Sequence, residues 1–214
     1  ITAVEFLVGT GSIIVGTDKG HLSQWFLVRD DNNVYALQPV REFKSLSGAI
    51  TQIVPEYARR GFWALDNQQN VGIYFATSNR QLLEEKMPLA VDQIAVSPIN
   101  GKALLLNHNL AVTVADVWNK HPEVSFSSLW EKVWYEGRQQ PEYIWQASSG
   151  SDNFEAKMSF VPLSIGTLKA AFFAILFAVP LGVMGAIYTA YFMTPKLRGI
   201  VKPTIEIMAA LPTV

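Results

Sequence analysis

The stretch ITAVEFLVGTGSIIVGTDKGHLSQWFLV, residues 1–28, is followed by two stretches of the same length and pattern. They are ITQIVPEYARRGFWALDNQQNVGIYFAT at 50–77 and VDQIAVSPINGKALLLNHNLAVTVADVW at 91–118. In each, an apolar opening leads to a glycine, a short apolar run, a polar turn and a second strand-like run. The glycines are Gly11, Gly61 and Gly101, and the polar turns are TDKG, DNQQN and NHN. The pattern predicts three copies of one strand-and-turn unit.

A unit of strand, turn, strand, turn and strand, repeated every roughly 40 to 50 residues, is typical of β-propeller blades such as those of WD40-like repeats. The run VYALQPVREF at 34–43 predicts a fourth, outer strand for the first unit. We therefore expect residues 1–120 to form about three antiparallel blades of a partial β-propeller, with further blades preceding Ile1. Because identity among the three stretches is low, a generic antiparallel sandwich remains an alternative.

Charge and hydropathy divide the chain into two parts. Residues 1–160 carry 13 Lys and Arg against 17 Asp and Glu, whereas residues 161–214 carry 4 against 1. Charged residues make up 16% of the chain, below the roughly 25% usual for soluble domains, and the mean hydropathy is +0.18. Both values point to a membrane segment. The chain has no cysteine, which excludes disulfides, thiolate metal sites and a cysteine nucleophile.

The membrane segment lies near the end of the chain. Residues 170–195 are 26 consecutive residues without a formal charge, and about 20 suffice to cross the hydrocarbon core as a helix. We expect a transmembrane region over 161–214, with a span at about 168–193 and a second span beginning at about 203. Basic residues accumulate on the cytoplasmic side of membrane proteins. The basic residues that follow the span, Lys196, Arg198 and Lys202, therefore place residues 1–160 outside the cytoplasm.

Two features of this region suggest function. Small residues recur every four positions at Ala178, Gly182, Ala186 and Ala190, which favours close packing against another transmembrane helix. Glu206 is the one acid after residue 160, and an ionisable group entering a membrane segment is a functional candidate. The alternative for Glu206 is a carboxylate at the cytoplasmic interface near Lys202.

Aromatic residues mark the junction at 121–160. Ser128-x-x-Glu131 has the form of a capping box for a short helix that carries Trp130, Trp134 and Tyr135. Tryptophan and tyrosine concentrate where membrane meets water. The pattern predicts an interfacial elbow helix followed by a tether, and the alternative is ordinary packing under the blades.

The sequence offers no catalytic, cofactor-binding or metal-binding residues. The three histidines, His21, His108 and His121, lack ligand spacing. Gly11 and Gly16 have the separation found in a phosphate-binding loop, but Thr17 and Asp18 stand where Lys and Ser or Thr are required. Acidic pairs such as Glu84 and Glu85 are interpreted as solvated turns. The basic residues are dispersed, which argues against nucleic-acid binding.

From Phe160 onward the sequence resembles a known family. The carrying motifs are G-T-L-K before the span, P-L-G within it, then L-R, K-P and E-x-x-A-x-L-P. As a set they are similar to the start of the membrane domain of bacterial ABC importer permeases. The upstream runs WEKVWYEG and EYIWQASSGSDNFEAK are similar more loosely. The closest likeness is to the phosphate transport system permease, in a form that carries a large extracytoplasmic insert.

This resemblance implies a multi-pass subunit of the bacterial inner membrane that imports inorganic phosphate, with residues 1–160 in the periplasm. Its implied partners are a second permease subunit, a cytoplasmic ATPase that hydrolyses the nucleotide, and a periplasmic phosphate-binding protein. The resemblance places the family's ATPase-docking loop and most of its translocation path later than Val214. No phosphate ligand is therefore assigned. The alternative is a membrane-anchored propeller that binds or scaffolds proteins without transport.

Overall fold

The computed structural model describes residues 1–9, 11–98, 101–150 and 154–210 and forms two compact units, Ile1–Leu163 and Ser164–Val214. The junction thus belongs to the same unit as the strands, where the sequence suggested a separate tether. Part of the polar run ASSGSDN, at 151–153, and the end of the motif E-x-x-A-x-L-P, at 211–214, lie outside the described residues.

Each repeat forms its own antiparallel sheet with the strands in chain order. The first blade contains β1 (Ala3–Phe6), β2 (Ser12–Gly16), β3 (Leu22–Arg29) and β4 (Tyr35–Phe43). The second contains β5 (Ile50–Pro55), β6 (Gly61–Asp66), β7 (Asn70–Phe75) and β8 (Arg80–Lys86), and the third contains β9 (Gln93–Val96), β10 (Lys102–Leu106) and β11 (Val112–Asp116). The predicted antiparallel sheets, including the outer strand β4, are confirmed.

The turns between the second and third strands of each blade share one geometry. The first residue of each turn accepts backbone N–H bonds on its side-chain oxygen, and the fourth residue has a positive φ. The first residues are Thr17, Asp66 and Asn107, and the fourth are Gly20, Gln69 and Leu110, with φ of 77°, 70° and 56°. Thr, Asp and Asn side chains compete for backbone bonds in this way. The three repeats therefore share one turn geometry although few of their residues are identical.

The second blade is buried on both faces. Phe62 and Tyr74 pack with Ile14 and Phe43 of the first blade, whereas Trp63 and its neighbours pack with residues of the third blade. Successive side chains of a strand point to opposite faces, so a strand buried on both sides has no polar alternation. This explains why FWALD and VGIYF are nearly continuous apolar runs.

The first and third blades each present one apolar face that the described residues leave open. On the first blade Phe6, Leu27 and Leu37 are about half exposed, and on the third blade Leu104 and Val114 are similarly exposed. The register places Phe6 opposite Ile13, and Leu27 opposite Leu37, so the side chains of the first blade form cross-strand rows. The sheets do not close into a ring within the described residues.

The innermost strands lie side by side, with β5 between β1 and β9. The Gln52 side chain on β5 donates to the Ile94 carbonyl at 3.0 Å and accepts from the Ile94 N–H at 2.7 Å. This adjacency of first strands is the arrangement of a propeller-like domain, whereas strands of different repeats would share sheets in the sandwich alternative.

Two local predictions differ from the structure. Glu84 and Glu85 lie on the outer strand β8 rather than in a turn, although their side chains are exposed as expected. The helix of the junction, α1 (Phe126–Trp130), is capped by Ser125, which forms a capping box with Ser128. The prediction of Ser128 as the cap was wrong by one turn, because Ser125 and Ser128 supply the reciprocal bonds without Glu131.

The described residues after α1 contain two short strands and two long helices. The strands β12 (Trp145–Gln146) and β13 (Lys157–Met158) pair with each other in the junction. The helix α2 (Val161–Ile187) continues into a π-helical turn, Tyr188–Phe192, and α3 (Pro195–Ala210) follows. The predicted span therefore begins inside a helix that starts about two turns earlier than expected.

Candidate functional site

The helix Val161–Phe192 has 32 residues and contains an 18-residue window with a mean hydropathy of 2.3, so it is long and apolar enough to cross a membrane. All residues of α2 are described, and none of them is buried. Side chains such as Phe177 and Leu181 are about two-thirds exposed. Exposing so many apolar side chains to water is costly, so this surface requires lipid or other helices.

The small-residue stripe faces a groove within the second unit. Gly182, Ala186 and Ala190 of the stripe line this groove, whose volume is about 710 Å³, together with Ile205 and Lys202 of α3. Among the described residues, no heavy atom lies within 4 Å of the position that a Cβ at Gly182 would occupy. The stripe is thus accessible on its small-residue side, as a helix-packing face needs to be.

The basic turn after the span is ordered by Arg198. Its guanidinium donates to the Ala190 carbonyl at 2.6 Å and to the Met193 carbonyl at 3.3 Å. Carbonyls at the end of a helix lack partners within the helix, and a cation there also favours the helix dipole. Arg198 therefore stabilises the end of the π-helical turn as well as adding positive charge.

Glu206 lies one turn after Lys202 on α3. The Lys202 Nζ and a Glu206 carboxylate oxygen are 3.9 Å apart, and both side chains are about two-thirds exposed. Lys202 is the neighbour expected if Glu206 is a carboxylate at the cytoplasmic interface. An exposed pair of this kind contributes little to stability.

The aromatic residues of the junction divide into two groups. Trp130 is 44% exposed and packs edge-to-face on Phe160 with ring centroids 6.1 Å apart. Tyr135 is only 1% exposed, and Trp134 packs edge-to-face on Phe26 of the first blade. The interface prediction is therefore wrong for Tyr135, because its ring is covered by protein. Trp134 is half-buried against a blade, which is the packing that the alternative describes.

A buried carboxylate between the junction and the blades was missed by sequence reasoning. Glu136 accepts a hydrogen bond from the Ser12 hydroxyl at 2.6 Å and pairs with Arg60 at 2.8 Å. The Arg60 and Glu136 side chains are 6% and 14% exposed. These residues are far apart in the chain and follow no spacing rule, so no pattern in a single sequence signals the contact.

Burial changes the acid–base properties of this region. Burial raises the pKa of the Glu136 carboxyl, while Ser12 and Arg60 act in the opposite direction. Burial raises the pKa of the Tyr135 hydroxyl to about 12. It lowers the pKa of the Arg41 guanidinium, against the attraction of Glu155 and Glu136. Burial disfavours the charged form in all three cases.

No group of three or more His, Cys, Asp or Glu side chains that could hold a metal ion occurs in the part of the chain that the structure describes. A pocket of about 860 Å³ lies beside Trp118, Lys120 and His121 at the end of the third blade. Trp118 is 82% exposed, and the Lys120 ammonium lies 4.2 Å from its ring centroid. Neighbouring polar side chains already have partners, since His121 Nδ1 lies 3.3 Å from Glu123 and Lys102 pairs with Asp116.

Comparison with known proteins finds similarity to solved structures. No family model and no curated protein matches the chain. Among solved structures, the chain is similar to the β-propeller domain of Myceliophteria thermophila Cps50 (Swd1), with 15% identity and a TM-score of 0.45. The match covers 55% of this chain and 34% of that chain, so this chain spans about a third of its length.

Proposed function

We propose that this chain is part of the permease subunit of an ABC transporter that imports inorganic phosphate. In this proposal residues 161–214 begin the transmembrane domain, and the blades form an extracytoplasmic β-propeller. The cytoplasmic ATPase, a second permease subunit and a periplasmic phosphate-binding protein are separate components. The proposal that phosphate is the substrate rests on the resemblance of the sequence from Phe160 onward.

The observation that carries the proposal is a second helix, α3, which begins directly after the apolar helix and carries Lys196, Arg198 and Lys202 in its first half. An exposed apolar helix ends at Phe192, and α3 begins at Pro195, so only Met193 and Thr194 separate them. The groove beside Gly182 adds a face that suits a neighbouring helix. A single anchor requires neither feature.

The alternative from another class is a membrane-anchored propeller that binds proteins without transport. The exposed Trp118 beside Lys120 is the feature that favours it, since exposed aromatic residues are enriched where proteins bind one another. This surface is also compatible with a permease that docks a delivery protein. Transport activity therefore discriminates between the two.

Uptake of radiolabelled phosphate tests the proposal in the native cells. We expect disruption of the gene for this chain to abolish high-affinity uptake, and the parent gene supplied in trans to restore it. Uptake of radiolabelled sulfate serves as the matched control and should not change. Normal phosphate uptake in the disrupted strain would contradict the proposal and favour the anchored binding protein.

A further inference from the structure

Side chains of the blades hold the main chain of the junction, residues 121–160, at several points. Ser78 donates to the Pro122 carbonyl at 2.9 Å, and Arg80 donates to the Val124 carbonyl at 2.9 Å. The Arg41 guanidinium of the first blade donates to the Trp134 carbonyl. The junction is thus bonded to both the first and the second blade.

A continuous chain of buried polar groups runs from the first blade into the junction. Arg41 donates to the Gln24 side-chain oxygen at 2.6 Å, and the Gln24 amide donates to the Ser12 hydroxyl at 2.9 Å. The Ser12 hydroxyl donates in turn to Glu136 at 2.6 Å, and Arg60 of the second blade pairs with the same carboxylate at 2.8 Å. Glu136 therefore joins two blades to the junction.

Glu155 repeats this arrangement closer to the membrane segment. Its carboxylate accepts from the Thr77 hydroxyl of the second blade at 2.8 Å and from the Glu136 N–H at 3.1 Å. Glu155 is 6% exposed, and Thr77 is 4% exposed. The two carboxylates thus connect the middle and the last part of the junction to the blades.

From Glu155 the ordered contacts continue to the start of α2. The strand β13 pairs with β12, and then Ser159 donates to the Ile144 carbonyl at 3.0 Å and Phe160 to the Leu129 carbonyl at 2.8 Å. The Phe160 ring also contacts Trp145, with centroids 5.5 Å apart. Val161, the next residue, is the first of α2.

Burying the charged groups of this network costs free energy, and the way these groups are paired indicates what the network does. Two arginines, Arg41 and Arg60, and two glutamates, Glu136 and Glu155, are largely shielded from water and balance in formal charge. Buried ion pairs are weak evidence for stability, because desolvation offsets most of the attraction. An apolar surface tolerates sliding, whereas each donor in a buried network has to meet one acceptor. The network therefore selects one position of the junction.

We propose that the junction is a rigid coupling element, which fixes the first turn of α2 to the first two blades through Glu136 and Glu155. A displacement of the blades, such as one caused by a bound partner, is then transmitted to the beginning of the membrane segment instead of being absorbed by a flexible tether. The proposal concerns contacts within Ile1–Leu163 and stands independently of the transported substrate.

A distance measurement between spin labels tests this rigidity in the full chain in lipid nanodiscs. The chain has no cysteine, so Lys86→Cys on β8 and Ala147→Cys in the junction, both exposed, carry the only two labels. We expect a narrow distance distribution in this labelled parent. The double variant Thr77→Val with Glu155→Gln should broaden it at least about twofold, because it removes the hydroxyl donor and the negative charge. The matched controls are Thr113→Val and Glu85→Gln, which change exposed strand residues.

Hydrogen exchange provides the second measurement and uses the milder variant Thr77→Val alone. We expect exchange at residues 154–160 to accelerate by at least about tenfold, while residues 61–75 in the core of the second blade keep their protection. A broad distribution in the parent, or a narrow one in the double variant, would overturn the proposal. Equal loss of protection in both segments would also overturn it, since that result describes general destabilisation.

Discussion

At the residue scale, Gly11 shows how a turn position is determined by a distant carboxylate. Gly11 and Gly61 immediately precede or begin the second strands of their blades. A Cβ at Gly11 would lie 2.7 Å from a Glu136 oxygen, and one at Gly61 would lie 2.6 Å from the Glu56 carboxylate. Each glycine therefore leaves room for a carboxylate that enters the blade.

The substitution Gly11→Ala tests this requirement. The new methyl group displaces Glu136, which Ser12 and Arg60 hold in place. Overpacking typically costs about 1–3 kcal/mol, so we expect a lower free energy of unfolding in urea and a lower Tm. Gly150→Ala is the matched control, because no atom of the described part of the chain lies within 4 Å of its added Cβ. An unchanged midpoint for Gly11→Ala would show that the carboxylate is free to move aside.

At the element scale, the helix α2 was predicted as a span and its stripe as a packing face. Its observed first residue and its π-helical end differ from the predicted span. The helix starts at Val161 and ends in a π-helical turn, with the Thr189 hydroxyl donating to the Gly185 carbonyl at 2.8 Å. Hydropathy identifies which residues avoid water, yet it contains no information on where backbone bonds change from one helical spacing to another. The sequence pattern therefore located the span without its π-helical turn.

The packing role of the stripe predicts a difference between neighbouring positions. Gly182→Leu places a branched side chain in the groove where another helix is expected to approach, so assembly with a partner subunit should weaken by about 1–3 kcal/mol. Leu181 points about 100° away and is 65% exposed, so Leu181→Phe is the matched control. Recovery of the partner subunit with the purified chain is the measurement.

The chain alone should tolerate both substitutions, since none of the heavy atoms that the structure describes lies within 4 Å of a Cβ at Gly182. Membrane abundance should therefore be equal for the parent and the two variants. If Gly182→Leu assembles like the parent while Leu181→Phe does not, the packing face has been assigned to the wrong side of the helix.

At the scale of the whole molecule, the charge difference between the two parts predicts the side of the membrane on which the blades lie. Residues 1–160 carry a net charge of −4 and residues 161–214 one of +3. Positive residues are retained on the cytoplasmic side. Labelling at one position on each side of the span tests this directly.

Asp31→Cys provides the outer position, because Asp31 is exposed in the turn between β3 and β4. In intact spheroplasts we expect it to react with an impermeant thiol reagent. Lys196→Cys, placed after the span and equally free of competing native thiols, should react only after lysis. The reverse pattern of labelling would place the blades in the cytoplasm.

The sequence by itself determined the three sheets and the apolar helix, because both depend on local periodicity: alternation and turn residues for strands, and continuous hydropathy for a span. The outer strand β8 escaped this reasoning, because RQLLEEK is an exposed edge whose polar residues resemble a turn. Only the tertiary structure decided that Tyr135 is buried and that Glu136 joins Ser12 to Arg60. These contacts unite residues more than 70 positions apart, and their energies depend on desolvation and on the geometry of several partners at once, which no local pattern encodes.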